Sequence, residues 1–277
     1  MAKTHEPGFW RWHSRSEQVM QAASTPAGGC GRFKFETLGS EHEELVIFLH
    51  AAGLSSWIWS DVIARLSGMG ALLIDMPGHG QNRDTRWVSI DETARRLNAL
   101  ARAEQNGRRL HIAGLSMGSY VGLSMLADAP GLYDSATLSG FHAGGMPKRG
   151  FNHLVIRLMS PFLTTRFMAR KTAQMLAGGD VDLDRFVEEA TQARWQDVAK
   201  CAHEAIDFEA PTDLSAITSR VMIAAGSKEH SAILQSLDVF KARLSQCDTY
   251  VADGLGHGWP GQAPGQFADL LLRQVRG

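Results

Sequence analysis

The sequence has almost no excess charge of either sign. It contains 277 residues, with 28 Lys and Arg against 29 Asp and Glu, and its formal net charge is -1. Proteins that bind nucleic acids usually present a basic surface that neutralises backbone phosphates. The even balance therefore argues against nucleic acid as a partner.

Cysteine is also scarce. The three cysteines, Cys30, Cys201 and Cys247, lie far apart along the chain. Because their number is odd and no two are closely spaced, they fit neither a disulfide framework nor a zinc site. We expect reduced thiols in a cytoplasmic protein that holds no metal.

No segment has the features of a membrane span or a secretory signal. The N-terminus mixes charged and aromatic residues without an uninterrupted apolar stretch. Residues 110–127 lack Asp, Glu, Lys and Arg, but many of them are glycine or serine. Such a composition suits a buried strand, turn and helix better than a helix facing lipid. The sequence also lacks internal repeats and low-complexity tracts.

The composition is that of an ordinary globular protein, with 44% hydrophobic and 21% charged residues. The length suits one α/β domain that carries an insertion. We expect four segments along the chain: an N-terminal arm (1–31), the first part of the core (32–141), a helical cap (142–212) and the second part of the core (213–277). The arm's Trp10 and Trp12 are expected to pack on the body.

Seven short runs with β-like composition alternate with segments of helical pattern. They cover residues 32–38, 44–50, 70–76, 108–116, 135–141, 219–227 and 248–253. Several of these runs are almost continuously apolar, as in parallel strands that are covered on both faces. The alternation predicts an α/β fold with a mostly parallel central sheet and helices on both faces.

Two helical regions can be placed within this pattern. Ser89 and Glu92 are spaced as a capping box and predict a helix over 90–105. Between the fifth and sixth strands the alternation stops, and large apolar residues recur at roughly helical spacing, which predicts the inserted cap. These residues are Met159, Phe162, Phe167, Met168, Met175 and Trp195.

Ser116 is the candidate nucleophile. It lies in a Gly-x-Ser-x-Gly sequence between Gly114 and Gly118, after one apolar run and before a helical one. A serine on a sharp strand-to-helix turn needs small neighbours, because larger side chains would collide with adjacent elements. A glycine-rich turn without chemistry is the alternative interpretation.

The segment His50–Gly53 follows the second strand and resembles a loop that could face this serine. Acyl transfer requires N–H groups that stabilise a developing oxyanion. Ala52 and Met117 are the candidate donors. We interpret His50 as a residue that orients the loop by hydrogen bonding rather than as a base.

His257, in Gly256-His257-Gly258, is the candidate general base, because it follows the last strand on a loop whose glycines permit close approach. His79 has the next best context, but its surroundings predict a tight turn. Glu229, which follows the sixth strand, is the candidate acid that orients the imidazole. The alternatives for that acid are Asp253 and Asp238, with Glu229 then a solvated carboxylate.

Together these residues resemble the α/β-hydrolase superfamily, in particular its serine carboxylesterases and lipases, from about residue 32 to the C-terminus. The matching segments are His50–Gly53, Trp59, Asp75–Gly80, Gly114–Gly118, Asp213–Ile217 and Gly256–His257. They occur in the family's order, and so do Ser116, Glu229 and His257.

The sequence departs from the family pattern at two positions. Ala51 stands where the oxyanion loop usually has glycine, and its β-carbon could shift that loop. Glu229 stands where aspartate is more usual, and its extra methylene requires a different loop to reach the histidine. The second departure bears on the identity of the acid and not on the fold.

The expected reaction is hydrolysis of a small-molecule ester without a cofactor. Ser116, activated by His257, would attack the carbonyl and form an acyl-enzyme that water releases. The serine at this strand-to-helix turn argues against the haloalkane dehalogenases and epoxide hydrolases of the superfamily, which have aspartate at that position. The family resemblance leaves lactonases, carbon–carbon bond hydrolases, thioesterases, acyltransferases and some lyases open, because they share the triad. A ligand-binding protein on the same scaffold is the alternative from another class.

The cap offers the only hints about the substrate. Its Met and Phe residues suggest a small to medium apolar group, although such residues also form the core of a cap. Four of its arginines either hold an acidic group or are solvated helix charges. They are Arg149, Arg157, Arg166 and Arg170. The sequence leaves a homodimer open.

Overall fold

A seven-stranded sheet organises the chain in a computed structural model that describes residues 33–176 and 183–276, without the side chains of 174–176. The predicted arm, with Trp10, Trp12 and Cys30, lies outside the described residues. The strands are β1 (Phe35–Leu38), β2 (Glu44–Leu49), β3 (Gly70–Ile74), β4 (Arg109–Leu115), β5 (Ser135–Ser139), β6 (Arg220–Gly226) and β7 (Cys247–Ala252). Each lies within or overlaps one of the seven predicted runs.

The sheet has the order β1-β3-β2-β4-β5-β6-β7. Only β1, at the edge, runs antiparallel to its neighbour β3, and the other pairs are parallel. The prediction of a mostly parallel α/β sheet is therefore confirmed. Because the parallel strands end at one edge, the loops that follow β2, β4, β5, β6 and β7 lie along that edge.

Ten helices accompany the sheet in the described part of the chain. They are α1 (Ser60–Ile63), α2 (Ile90–Glu104), α3 (Met117–Asp128), α4 (Arg149–Met159), α5 (Arg166–Leu176), α6 (Leu183–Gln192), α7 (Trp195–Asp207), α8 (Ser231–Arg243), α9 (Trp259–Gln262) and α10 (Pro264–Arg276). Short 3-10 turns cover Ser56–Trp59, Gly80–Asn82 and Ser160–Phe162.

Two apolar cores cover the two faces of the sheet. Successive residues of a strand point to opposite faces, so that Leu45 and Ile47 of β2 join one core while Val46 and Phe48 join the other. Helices α2, α3 and α8 contribute to the first core, and α1 and α10 contribute to the second. This explains why β2, β3 and β6 are almost continuously apolar.

The predicted helix over 90–105 is α2, and half of its predicted capping box is present. The Ser89 side chain accepts a hydrogen bond from the Glu92 amide at 3.0 Å, as an N-cap does. The Glu92 carboxylate accepts instead from Arg95. Glu204 of α7 binds the first turn of α2 through the amide of Ile90, at 2.9 Å.

Helices α4 to α7 lie between β5 and β6, where the sequence predicts an insertion. The chain leaves the core and returns to it through adjacent antiparallel segments. Gly145 and Met146 donate amide hydrogen bonds to the carbonyls of Phe208 and Ile206, and Ala210 donates to Ala143. Both ends of the insertion are therefore held side by side.

The apolar residues of this insertion are not all in its interior. Met159, Phe162 and Phe167 are exposed, so the interpretation that such residues form the core of the cap is wrong for these three. Their spacing is helical, but spacing does not say which side of a helix meets the rest of the molecule.

The composition also bears on the thiols, on membrane-spanning helices and on metal-binding groups. Cys201 and Cys247 are free thiols, and burial raises the pKa of Cys201. Within residues 33–176 and 183–276, no helix is long and apolar enough to cross a membrane. The same ranges contain no group of three or more His, Cys, Asp or Glu residues that could hold a metal ion.

Candidate active site

Ser116 sits on a strained turn between β4 and α3. Its φ of 54° and ψ of -116° place a residue with a side chain in a region that L-amino acids rarely adopt. The Ser116 amide donates to the carbonyl of Ser139 at 2.8 Å, which fixes the turn to the end of β5. The side chain is partly exposed at the carboxyl edge of the sheet.

The glycines on either side of Ser116 are required by packing. A β-carbon on Gly118 would collide with the carbonyl of Leu49 at the end of β2. A β-carbon on Gly114 would lie 2.9 Å from the carbonyl oxygen of Gly118. The close approach of α3 to the sheet therefore explains the Gly-x-Ser-x-Gly spacing in this chain.

The amides of Ala52 and Met117 are open. Ala52 lies in the loop after β2, and Met117 begins α3 directly after Ser116. Leu49 at the end of β2 is paired with Gly114 near the end of β4, so both segments start from neighbouring points of the sheet. Neither amide donates a hydrogen bond to any atom of the described chain. Ala51 is accommodated with its side chain buried in the second apolar core.

Two buried histidines hold the loop that contains Ala52. His50 Nδ1 is 2.9 Å from the carbonyl oxygen of Ala51, and its Nε2 accepts from the amide of Met76 at 2.8 Å. His79 Nδ1 is 2.9 Å from the Pro77 carbonyl oxygen, and its Nε2 accepts from the amide of Gly53 at 2.9 Å. The two rings meet edge to face at 5.2 Å.

Burial keeps both of these histidines neutral. It lowers the pKa of His50, and it lowers the pKa of His79 to about 3. Since Nε2 accepts a backbone N–H in each ring, Nδ1 carries the proton and donates it to a carbonyl. Both nitrogens of each ring are occupied, so these residues can position a loop but cannot remove a proton from a substrate or from Ser116.

His257 has a different environment. Its Nδ1 lies 2.8 Å from Oε2 of Glu229. The Glu229 side chain is 2% exposed, whereas that of His257 is 32% exposed. A carboxylate can only accept, so Nδ1 donates the proton and leaves Nε2 as an acceptor.

Gly140 connects this pair to the serine. It follows Ser139, whose carbonyl binds the Ser116 amide, and it has a φ of +73°. A β-carbon at Gly140 would lie 3.0 Å from Cε1 of His257 and 3.2 Å from Oε1 of Glu229. The end of β5 therefore borders the serine turn on one side and the His257–Glu229 pair on the other.

The loops that carry the acid and the histidine are joined by backbone hydrogen bonds. Ser227 donates its amide to the Ala252 carbonyl and Lys228 donates to that of Leu255, each at 2.9 Å. A β-carbon on Gly226 would lie 2.5 Å from the carbonyl oxygens of both Leu255 and Gly256. The two loops touch so closely that only glycine fits at position 226.

The alternative acids lie elsewhere. Asp253 is exposed and accepts a hydrogen bond from Ser227 Oγ at 3.4 Å, and Asp238 is exposed on α8. Arg149, Arg157, Arg166 and Arg170 of the insertion are exposed as well, and Arg149 is paired with Glu209 at 2.5 Å. The structure thus brings Glu229, and neither Asp238 nor Asp253, to the imidazole.

Sequence reasoning missed three residues that shape this site. Gly140 and Gly226 make the close approaches described above, and Trp259 donates its indole N–H to Ser139 Oγ at 2.8 Å, which fixes α9 behind the histidine loop. A signal for the two glycines was available, because each stands at the carboxyl end of a predicted strand. The partner of Trp259 could not be read from spacing.

Comparison of the sequence with models of known protein families identifies the family of this chain. The model of the alpha/beta hydrolase family matches residues 46–270, which is most of the chain. This protein belongs to the α/β-hydrolase family. A curated relative from Gibberella zeae, described as an AB hydrolase superfamily protein, is 27% identical over 241 residues, which are 84% of this chain and 80% of the relative.

Solved structures of α/β-hydrolases share the fold. A thermophilic esterase from Thermogutta terrifontis has a TM-score of 0.73 at 17% identity, and the match covers 88% of this chain and 93% of the esterase. An N-acyl homoserine lactonase solved with N-hexanoyl homoserine lactone has a TM-score of 0.72 at 16% identity, over 90% of this chain and 95% of the lactonase.

Proposed function

We propose that this α/β-hydrolase cleaves carboxylic esters of small to medium apolar substrates through an acyl-enzyme on Ser116. The observation that carries the proposal is the His257–Glu229 pair beside Gly140, next to a serine on a strained strand-to-helix turn. In this arrangement Nε2 of His257 accepts the proton of Ser116 Oγ while the oxygen attacks the ester carbonyl carbon.

The attack creates a tetrahedral intermediate with a negative oxygen. The amides of Ala52 and Met117 are proposed to donate to that oxygen, which is consistent with their having no other acceptor in the described chain. Preorganised donors of this kind are worth about 3–4 kcal/mol each in the transition state. We assign His50 and Gly53 to the support of this loop, and Gly114 and Gly118 to the support of the turn.

The intermediate collapses when His257 gives its proton to the alcohol oxygen and the carbon–oxygen bond of the ester breaks. A water molecule, deprotonated by the same Nε2, then attacks the acyl-enzyme and releases the acid. Glu229 holds Nδ1–H in place throughout and stabilises the imidazolium, and it keeps its own charge. No step requires a cofactor.

The helices of residues 142–212 are proposed to cap this site. Ser55, which lies in the oxyanion-loop region, donates its hydroxyl to Glu189 of α6 at 2.9 Å, and Trp57 meets Phe186 of α6 edge to face. These contacts place α6 against the segment that follows Ala52. The insertion is therefore positioned to shape the acyl or alcohol side of a pocket.

The test is hydrolysis of p-nitrophenyl esters from acetate to decanoate by the wild type, Ser116→Ala and Ser124→Ala. Ser124 lies on α3 near Ser116 but bonds to Asp91, so its replacement is a matched control that should keep activity. We expect turnover with an optimum in acyl length, and a loss of about 10⁴-fold or more in kcat for Ser116→Ala.

An organophosphonate probe separates the alternatives. Failure to label Ser116 in the folded wild type would reject the nucleophile and favour a ligand-binding protein on this scaffold. Labelling without turnover of any linear ester would reject the substrate class while keeping the nucleophile. A panel of lactones and of substrates with cleavable carbon–carbon bonds would then identify the reaction.

A further inference from the structure

Helix α4 turns an apolar side to the solvent. Five of its residues recur at the spacing of one helical face and are all exposed, and we call them the apolar stripe: Phe151, Leu154, Val155, Leu158 and Met159. Phe151 and Leu158 each keep 64% of their accessible surface. Phe162, in the next turn, and Phe167, at the start of α5, extend the exposed apolar surface.

The side of α4 opposite the stripe faces α7, with which His153 makes polar contacts. His153 stacks on His203 of α7, with their Nδ1 atoms 2.6 Å apart, and its Nε2 lies 2.8 Å from Oδ1 of Asp207. A surface helix of a globular protein normally has the opposite orientation, with its apolar side on the core. Since the polar contacts fix α4 to α7, its apolar stripe is presented outward.

The chain segment that carries the stripe is basic, and the two acidic residues that contact α4, Asp207 and Glu209, are paired with His153 and Arg149. Residues 142–176 contain Lys148, Arg149, Arg157, Arg166, Arg170 and Lys171 but no Asp or Glu, whereas the whole chain has a formal net charge of -1. All six cations are exposed, and only Arg149 has an ion-pair partner among the described residues. Lys171 lies over the ring of Phe167 at 4.9 Å.

We propose that the apolar stripe and its cations bind the surface of a membrane that contains anionic lipids. Apolar side chains on one side of a helix and Lys or Arg beside them are the features by which a helix lies in the lipid interface. The cations would contact the headgroups, and the stripe would enter the boundary of the acyl chains. This adsorption needs no membrane-spanning segment and is independent of the proposed esterase reaction.

Charge favours an anionic membrane over a second copy of the chain or the N-terminal arm as the partner of the stripe. A second copy of the chain, docked stripe to stripe, would bring two sets of six cations together. The N-terminal arm, residues 1–31, has Lys3, Arg11 and Arg15 against Glu6 and Glu17 and offers no acidic complement. An anionic bilayer supplies both the negative charge and the apolar phase that this surface lacks.

The experiment is cosedimentation of the full-length protein with vesicles of phosphatidylcholine alone or mixed with phosphatidylserine. We expect binding to the mixed vesicles that weakens with salt. Replacing Phe151 and Leu158 together with serine should weaken it by about tenfold or more. Replacing Arg157, Arg166 and Arg170 with glutamine should weaken it by about a hundredfold, since each cation near the surface contributes about fivefold.

Matched controls make the result specific. Val88 is 62% exposed and lies outside the stripe and the basic segment 142–176, and Val88→Ser should leave vesicle binding unchanged. Glutamine at the exposed Arg83, Arg86 and Arg273 removes the same charge elsewhere and should change binding far less. Thermal unfolding of every variant checks that the change is not a loss of folding.

Two outcomes would overturn the proposal. Equal binding to neutral and anionic vesicles, or equal binding by wild type and stripe variants, would show that this surface is not the membrane contact. Absence of vesicle binding together with a concentration-dependent dimer that Phe151→Ser and Leu158→Ser abolish would assign the stripe to a second copy. Neither outcome depends on whether the protein cleaves esters.

Discussion

The loops after β2 and β7 each present histidine at the same edge of the sheet, but they use it in different ways. In the loop after β2, His50 is buried and its two ring nitrogens bind backbone groups. In the loop after β7, His257 is partly exposed, its Nδ1 faces a buried carboxylate and its Nε2 is open. The first arrangement occupies both ring nitrogens, and the second leaves Nε2 without a partner among the described residues.

This difference shows what makes a histidine a candidate base. Residue type and a glycine-rich context are shared by His50, His79 and His257. What separates them is whether a ring nitrogen remains without a partner and whether a charge stands ready for the imidazolium. The three predictions below change the partner of His257, the position of its loop, and the titration of the buried His79.

The largest effect is expected from Glu229→Gln. A glutamine amide can donate to Nδ1 and thereby move the imidazole proton to Nε2, which removes the acceptor that Ser116 needs. We expect kcat for ester hydrolysis to fall by about 10³- to 10⁴-fold with little change in thermal stability. Asp253→Asn removes a nearby exposed carboxylate and should retain activity. Equal losses in the two variants would reject Glu229 as the orienting acid.

A smaller loss is expected from Gly226→Ala. Its β-carbon would press on the carbonyls of Leu255 and Gly256 and displace the loop that holds His257. A shift of about 1 Å in a catalytic group can cost about 100-fold in rate, and we expect kcat to fall by about 10- to 100-fold. Gly256→Ala is the matched control, because a β-carbon there meets nothing within 4 Å. A fully active Gly226→Ala enzyme would mean that this contact does not position the histidine.

The smallest effect concerns acid stability. Burial lowers the pKa of His79 to about 3. The imidazole is therefore protonated below about pH 6.5 in the unfolded chain but only below about pH 3 in the folded chain. The free energy of unfolding should therefore fall with decreasing pH between about 6.5 and 3, by at most about 1.4 kcal/mol per pH unit from this group.

His79→Gln tests this, since the glutamine carbonyl can still accept from Gly53 and carries no titratable group. Urea unfolding from pH 7 to 4 should show a shallower loss of stability for this variant than for the wild type. The same replacement at the half-buried His42 serves as the control. Identical pH slopes for His79→Gln and the wild type would show that His79 does not contribute to the loss of stability in acid.

The sequence predicted those parts of the fold and site in which a local pattern of residues has a single physical explanation. Continuous apolar runs predicted the central strands because both sheet faces are covered, and Gly114 and Gly118 predicted a sharp turn because α3 approaches the sheet closely. The order of Ser116, Glu229 and His257 followed from the strands that precede them. Each of these inferences rests on local pattern, which a single sequence displays.

Other features depend on which elements meet in space. The open amides of Ala52 and Met117 are visible only when every neighbouring acceptor has been located. The outward orientation of α4 is set by the His153–His203–Asp207 contacts with α7, which are distant in sequence. The sequence pattern therefore located the helical insertion but did not show that Phe162 and Phe167 are exposed on it.

The paired ends of the insertion have a consequence for how this fold can change. Segments 143–146 and 206–210 meet as antiparallel neighbours. The helices between them therefore form one loop whose two ends are held together next to the sheet. The entropy of closing such a loop rises only slowly with its length. The number and length of the helices between these two segments can therefore change while the edge with Ser116, Glu229 and His257 keeps its connections.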